Sequence, residues 1–174
     1  MKIMMLSGDR SLVAGKRGAF YYTLEELSKY CERIDVLCPL EQENKKTRKQ
    51  ENKFFDNVYL HPGEESKIRQ IFYLAKKGIE LWDKEKHDIV LIHEYPPFYN
   101  SLGARLLSKK INAKFVVEIH HIIGYPKQAD LKEKFHFLLS KIFIPRDCRR
   151  FEAVRIVNKK QVPEFLRGLG VSEA

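Results

Sequence analysis

The sequence predicts a single doubly wound α/β domain, in which a parallel sheet carries helices on both faces. Short apolar runs alternate with amphipathic segments along the whole chain, and this alternation is typical of right-handed crossovers between parallel strands. The chain has 174 residues, of which 44% are hydrophobic, enough for one domain with a sizeable core. Neither an internal repeat nor a second domain is evident.

The first half of the chain begins with the apolar run "KIMMLS", a buried strand that ends at Ser7 and Gly8. In the helices, apolar residues recur every three or four positions. In the segment 41–53 they do not, and its many charges predict a solvated loop. The predicted order is a strand over 2–7, a loop over 8–18, a helix from about 19, a strand over 34–39, the charged loop 41–53, a strand over 57–62 and a helix over 68–82.

The second half is dominated by two apolar strands, "DIVLIHE" and "AKFVVEIHH", of the kind that is buried on both faces of a parallel sheet. Helical spacing of leucines follows the first of them, and a longer helical pattern follows the second. The predicted order is a strand over 88–94, a helix over 102–107, a strand over 113–121, a helix over 130–143, a strand over 151–158 and a helix over 162–169 that ends at Gly168 or Gly170.

The charge of the chain is strongly basic, with 32 Lys and Arg residues against 23 Asp and Glu residues and a net charge of +9. This excess favours anionic partners, although a soluble protein with a basic surface explains it equally well. The three cysteines lack metal-ligand spacing and are predicted to be free thiols. No secretory signal or membrane-spanning run is evident, so we expect a cytoplasmic protein, peripheral to a membrane at most.

Candidate site residues cluster where predicted strands end. His93 and Glu94 end one central strand, His120 and His121 end the next, and a glycine-bearing loop follows the first strand. Ligands of doubly wound sheets bind at this edge. A hydrogen-bonded structural role remains an alternative for either strand-end histidine. We predict no metal site, because adjacent residues of a strand point to opposite faces and no cysteine lies nearby.

The loop "GKRG" is the candidate phosphate site. Its residues Gly15, Lys16, Arg17 and Gly18 precede a helix, and backbone amides at a helix N-terminus bind anions. The spacing matches neither the dinucleotide fingerprint nor the P-loop, so an ordinary turn is an equal alternative. The basic segment 45–49 is interspersed with acids, which favours a solvated loop over nucleic-acid binding.

The helix over 130–143 has an unusual apolar content. Leu131, Phe135, Leu138 and Ile142 form a stripe that is predicted to cover the sheet, and two further phenylalanines, at 137 and 143, lie off it. An amphipathic helix with aromatic and basic residues is suited to an anionic membrane surface, whereas a core-packing helix with solvated lysines is the alternative. The surrounding basic residues are Lys127, Lys132, Lys134, Lys141, Arg146, Arg149 and Arg150.

Taken together, the segments "KIMMLSGDRSLVAGKRGAFYYTLEELSKY", "HDIVLIHEYPP", "FVVEIHH" and "VRIVNKKQVPEFLRGLGV" resemble, in order and spacing, the Rossmann-like N-terminal domain of a GT-B glycosyltransferase of family four. The resemblance extends over nearly the whole chain. It implies that His120 is the cleft histidine beside the acceptor and the transferred sugar. It also implies that Gly15 and Gly18 approximate the glycines facing the donor diphosphate, and that His93 and Glu94 border the acceptor.

The activity implied by the resemblance is retaining transfer of a sugar from a nucleotide-sugar donor to a glycan or lipid-linked acceptor, without a metal or other cofactor. The family's donor-binding C-terminal domain has no counterpart in residues 1–174, so we expect an acceptor-side domain that is inactive alone. The alternative is a stand-alone Rossmann-like module that binds a phosphorylated ligand without catalysis. A nucleic-acid-binding domain is a third and less favoured interpretation, and we expect no nucleic-acid partner.

Overall fold

The computed structural model describes residues 1–39, 52–63 and 66–171. Its strands are β1 (Lys2–Leu6), β2 (Arg33–Cys38), β3 (Asn52–Phe54), β4 (Val58–Pro62), β5 (Ile89–Glu94), β6 (Lys114–Ile119) and β7 (Ala153–Ile156). Its helices are α1 (Ala19–Ser28), α2 (Lys67–Glu85), α3 (Tyr99–Leu107), α4 (Leu131–Arg150) and α5 (Gln161–Gly168). The strands form one sheet in the order β3-β4-β2-β1-β5-β6-β7, which confirms the predicted doubly wound class.

The sheet is parallel apart from one edge, where β3 runs antiparallel to β4. The sequence pattern did not predict β3, which begins at the end of the charged segment 41–53. Residues 41–51 of that predicted loop lie outside the described residues. The other six strands lie where the sequence predicted them. Strands β1 and β2 are almost wholly buried, as expected of apolar runs covered by helices on both faces, whereas the residues of the edge strand β7 are exposed or half-buried.

Side-chain alternation along the strands divides the core into two layers. Ile3 and Met5 of β1 pack with Phe20 and Leu24 of α1 on one face. Met4 and Leu6 of the same strand face the other side, into a larger core shared by α2, α3, α4 and α5. The helices therefore cover both faces, with α1 alone on one side among the described helices.

Helix α4 presents the opposite face to the core from the one that the sequence pattern predicted. The residues Leu131, Phe135, Leu138 and Ile142, called here the α4 stripe, are exposed by 82, 57, 54 and 38%. The two phenylalanines placed off the stripe pack inward instead. Phe143 stacks on Phe98 with ring centroids 5.1 Å apart, and Phe137 lies 5.8 Å from Phe165.

The reason for this reversal is a second inward-facing series in the same helix. Phe137, Ser140 and Ile144 recur at helical spacing, and the small Ser140, 1% exposed, permits close approach to the core. Tyr125 and Phe165 supply aromatic partners to Phe137. Among the described helices, none is both long and apolar enough to cross a membrane.

A fully buried carboxylate, Asp35, links the outer part of the sheet to the α2–β5 connection. His61 and His87 each place Nε2 at 2.7 Å from it, and Arg33 donates from Nε at 2.6 Å. Burial alone would raise the pKa of this carboxyl group. The hydrogen bonds from the three partners outweigh burial and hold the pKa of Asp35 well below its ordinary value.

We expect Asp35→Asn to lower the free energy of unfolding by about 3 kcal/mol, because one buried partner of an ionic network is removed. A group with a depressed pKa stabilises the fold above its unfolded pKa, and this contribution is lost as the pH falls. Urea denaturation should therefore show wild-type stability declining below about pH 4, with a weaker decline in the variant. Asp83→Asn, at an exposed Asp, is the control and should change stability by less than about 0.5 kcal/mol. Equal stability of Asp35→Asn and wild type would contradict the assignment.

Candidate functional site

A cavity of about 400 Å³ opens at the carboxyl ends of β1, β5 and β6. The three strand-end segments singled out in the sequence meet there, as expected for a doubly wound sheet. The lining residues are Ser7, Gly8, Asp9, Ala19, Phe20, Thr23, His93, Glu94, Tyr95, Glu118, His120 and His121.

The register of the sheet decides which side chains meet in this cavity. His93 of β5 is the register partner of Glu118 of β6, and Glu118 is the partner of Arg155 of β7. Partnered residues of neighbouring strands point to the same face. His120 is the first residue after β6, and its Nε2 reaches the same carboxylate, 2.5 Å from Oε1 of Glu118. Three strands therefore direct polar side chains to one point.

Glu118 lies at the centre of this group and is 2% exposed. Its Oε1 lies 2.5 Å from Nε2 of His120 and 3.6 Å from Nε2 of His93. Its Oε2 accepts from the guanidinium of Arg155. A buried charge is tolerated when it is paired and hydrogen-bonded, so Glu118 holds an imidazole and a guanidinium in fixed positions at the cavity wall.

His93 is a neutral imidazole in this setting. Burial is the largest cause that lowers the pKa of His93 to about 4, with smaller contributions from His120 when its ring is protonated and from the guanidinium of Arg155. Its Nδ1 lies 3.4 Å from Oγ of Ser7. Its ring packs edge-to-face against Phe20, with ring centroids 4.9 Å apart. Nε2 is buried and has no hydrogen-bond partner among the described residues.

His120 is the most accessible member of the group, with 48% of its side chain exposed. Partial burial lowers its pKa, which favours the neutral ring. A neutral imidazole has one donor and one acceptor nitrogen, and a proton on Nε2, 2.5 Å from Oε1 of Glu118, would leave Nδ1 as the acceptor. A ring in this state can accept a hydrogen bond or a proton from a hydroxyl group in the cavity.

His121 does not behave as strand alternation predicted. Alternation along an extended strand would point it to the opposite face from His120. Strand β6 ends at Ile119, so the alternation does not extend to His121, which is exposed and lines the same cavity.

The loop Gly15–Gly18 lies beside the cavity. Gly15 adopts a positive φ of 71°, and Gly18 is the N-cap residue of α1. The side chains of Lys16 and Arg17 are exposed. The cavity is lined instead by Ala19 and later residues of α1, so phosphate binding by this loop stays a prediction.

Glu94, the acid predicted at the rim, is 6% exposed. Its Oε1 accepts from the backbone amide of Tyr95 at 3.0 Å. Burial, and then the charge of Asp147, raise its pKa well above the ordinary value. This shift favours the protonated carboxyl group, and a substrate-binding role for Glu94 stays a prediction.

Sequence reasoning missed Glu118 and Arg155, which fix the orientation of the site. The signal was present, since an acid two residues before His120 interrupts an apolar strand. A charged residue inside a buried strand is expected to have a partner. The partner could not be named without the pairing of β6 with β7.

In comparisons with known proteins, no family model matches the chain and no curated protein is significantly similar to it. It does resemble a solved structure from Listeria monocytogenes, provisionally assigned as a UDP-N-acetylglucosamine 2-epimerase. The TM-score is 0.57 at 16% sequence identity, covering 98% of this chain and 43% of that chain. A second UDP-N-acetylglucosamine 2-epimerase structure aligns with a TM-score of 0.37 at 15% identity, over 82% of this chain and 39% of that one.

The first of these similarities shows the fold alone. It supports the doubly wound, Rossmann-like class, and the chain spans about two fifths of the length of either structure. Membership of glycosyltransferase family four is not established by these comparisons.

Gly8 determines how closely α3 approaches the end of β1. A Cβ atom at Gly8 would lie 2.6 Å from the hydroxyl oxygen of Tyr99 and 3.6 Å from the Cζ atom that carries it. The hydroxyl oxygen is the one atom of Tyr99 in conflict, because 3.6 Å is an ordinary van der Waals separation.

We expect Gly8→Ala to lower the free energy of unfolding by about 1–3 kcal/mol, as overpacking commonly does. Tyr99→Phe removes the conflicting oxygen, so the double variant should regain most of that loss. A double-mutant cycle by urea denaturation, with Tyr99→Phe alone as control, measures the coupling. An identical cost of Gly8→Ala with and without the hydroxyl group would show that Tyr99 does not set this approach.

Proposed function

We propose that the chain is the acceptor-side domain of a retaining glycosyltransferase that moves a sugar from a nucleotide-sugar donor to a glycan or lipid-linked acceptor. The observation that carries the proposal is the His120–Glu118 pair at the strand-end cavity. The order of sequence motifs supports it, as does the fold, which the chain shares with a protein described as a UDP-N-acetylglucosamine 2-epimerase.

In this proposal, His120 is the catalytic residue and contacts a sugar hydroxyl through Nδ1. Glu118 is a positioning residue, because its Oε1 lies 2.5 Å from the other ring nitrogen of His120, Nε2. The neutral imidazole of His93 lines the cavity and borders the acceptor. A sugar hydroxyl that loses its proton becomes a better nucleophile, and a positioned imidazole accelerates such a step by about 10²–10⁴.

The donor is proposed to reach the cavity from the side of the Gly15–Gly18 loop. Lys16 and Arg17 are exposed there and would favour the negative charge of a diphosphate leaving group. A donor-binding domain would supply the remaining contacts. Transfer through these groups is proposed to need no metal or other cofactor.

A second candidate is epimerisation of a nucleotide sugar. It is favoured by the fold shared with the Listeria protein and by the pairing of an acid with an imidazole, which also suits proton removal from a sugar carbon. Incubation of an enzyme that joins this chain to a donor-binding domain with UDP-N-acetylglucosamine and an acceptor separates the two reactions. Epimerisation changes the sugar while it stays attached to the nucleotide, and transfer releases the nucleotide. A non-catalytic module for a phosphorylated ligand would bind at Gly15–Gly18 without either product.

We further propose that the acceptor is membrane-associated and that α4 contacts an anionic surface. The α4 stripe places four large apolar side chains in solvent. By helical geometry, Lys134 and Lys141 flank it on one side and Lys132 and Arg146 on the other, and all four are exposed. Exposed apolar residues bordered by basic ones match the interfacial region of an anionic bilayer.

We expect His120→Ala, placed in an enzyme that joins this chain to a donor-binding domain, to lower kcat/KM for transfer about 100-fold, the lower range for loss of a general base. His136→Ala, which removes a histidine from α4, is the matched control and should leave kcat/KM unchanged. Thermal denaturation verifies that both variants fold. If transfer by His120→Ala equals that of the wild type, His120 is not the catalytic residue.

For the membrane contact, vesicle co-sedimentation should show binding to anionic but not to neutral vesicles. Lys134→Glu with Lys141→Glu should weaken it, because each basic residue near the surface contributes about 1 kcal/mol. Phe135→Gln with Leu138→Gln should weaken it through the apolar stripe.

The control for the charge change is Lys76→Glu with Lys84→Glu, which alters net charge equally on the exposed part of α2. This pair should retain more binding than the α4 pair. Absence of binding to anionic vesicles at low salt would rule out the membrane contact and favour a soluble acceptor.

A further inference from the structure

The group around Glu118 has the composition and spacing of a metal-ligand set. One ligand atom each from His93, Glu118 and His120 lies within 4.8 Å of the other two. The two imidazoles approach the same carboxylate oxygen, Oε1, from neighbouring strand ends. Imidazole and carboxylate groups are the ligands of zinc and related divalent ions in proteins.

We propose that His93, Glu118 and His120 bind a divalent transition-metal ion of the Zn²⁺ class, with an open coordination position facing the strand-end cavity. The ligands would be Nε2 of each histidine and Oε1 of the glutamate. Three protein ligands and one open position are the arrangement in which zinc accepts water or a substrate oxygen. The expectation of no metal rested on the two adjacent histidines, whereas this set draws one ligand from β5.

The distances permit the ion with a small adjustment. Zinc bonds of 2.0–2.1 Å at a tetrahedral angle place two ligand atoms about 3.3 Å apart. Oε1 of Glu118 lies 3.6 Å from Nε2 of His93 and 2.5 Å from Nε2 of His120. The second distance must lengthen, and His120 can shift because its side chain is half exposed.

His93 provides an independent reason to expect a ligand. Its Nε2 is buried and has no hydrogen-bond partner among the described residues, and such atoms usually indicate a missing partner. Its other nitrogen lies 3.4 Å from Oγ of Ser7. A hydrogen bond at one nitrogen orients the ring and leaves the other free for a metal.

Arg155 is the feature that opposes an ion, because its guanidinium pairs with the second oxygen of Glu118. Its side chain is 54% exposed and has room to turn into solvent. The charge of Arg155 should therefore weaken the affinity for a divalent cation. Removal of this charge by Arg155→Gln is therefore expected to strengthen metal binding.

Metal binding goes beyond the proposed transfer reaction and does not depend on it. A bound ion would occupy Nε2 of His120 and place the ring proton on Nδ1, so the same ring could not then accept a proton from a hydroxyl group. Excess Zn²⁺ should consequently inhibit any reaction that uses His120 as a base. The binding measurement itself needs no catalytic activity.

The test is titration of the untagged chain with Co²⁺, followed by its visible absorption, and competition by Zn²⁺. We expect one ion per chain. His120→Ala and Glu118→Gln should each weaken binding by about 100-fold or more, because loss of a direct ligand should cost at least as much as the 10–100-fold typical of loss of an outer-shell partner. His136→Ala should bind like the wild type, and Arg155→Gln should bind more tightly.

His120→Ala is the decisive variant because the side chain is half exposed and its removal is compatible with folding, which circular dichroism verifies. Wild-type affinity in His120→Ala would overturn the proposal, as would the absence of saturable Co²⁺ binding by the wild-type chain. Weaker binding by Arg155→Gln than by the wild type would contradict the electrostatic argument and the assignment of Glu118 as a ligand.

Discussion

A carboxylate buried at the ligand-binding edge of a parallel sheet must be compensated, since moving such a charge out of water costs several kcal/mol. In this protein that carboxylate is Glu118. The parallel register brings His93 and Arg155 to its two sides, and the chain that follows returns His120 to the same oxygen. The walls of the strand-end cavity, and the roles proposed for its histidines, all depend on this one compensated charge.

A comparison with Asp35 shows why Glu118 is interpreted as functional. Asp35 is also a buried acid with two histidines and an arginine around it, and it makes hydrogen bonds of 2.6–3.0 Å to all three. Such a saturated network suits a structural role. Around Glu118, one imidazole lies at 3.6 Å and the group borders a cavity, so its bonding is incomplete in a place that a ligand can reach.

Much of the fold was predictable because the physics of the central strands is local. The apolar run before His93 and the one before His120 can be buried only in the middle of a sheet, and the strand-end rule then places both histidines at one edge. The orientation of α4 was not predictable in this way. Its sequence offers two apolar faces, and contacts with Phe98 and Phe165, distant in sequence, decide between them.

The location of the candidate site could be predicted from the sequence, but the contacts between its side chains could not. His120 could be chosen from its position after an apolar strand, yet its partner depends on the pairing of β6 with β7, which no local pattern specifies. Strand β3 was missed for a related reason, since an antiparallel edge strand of three residues leaves little periodicity to detect. Both features depend on pairing between distant strands, which local sequence patterns do not specify.

Whether the Glu118 carboxylate organises the cavity can be tested by NMR, through the ring-nitrogen resonances of the histidines. Glu118→Gln keeps the shape of the side chain and removes its charge. In ¹H–¹⁵N spectra, we expect the ring-nitrogen resonances of His93 and His120 both to shift in this variant. Those of His61 and His87, which are bound to Asp35, should remain in place. Unchanged resonances of His93 and His120 in a folded variant would contradict the claim.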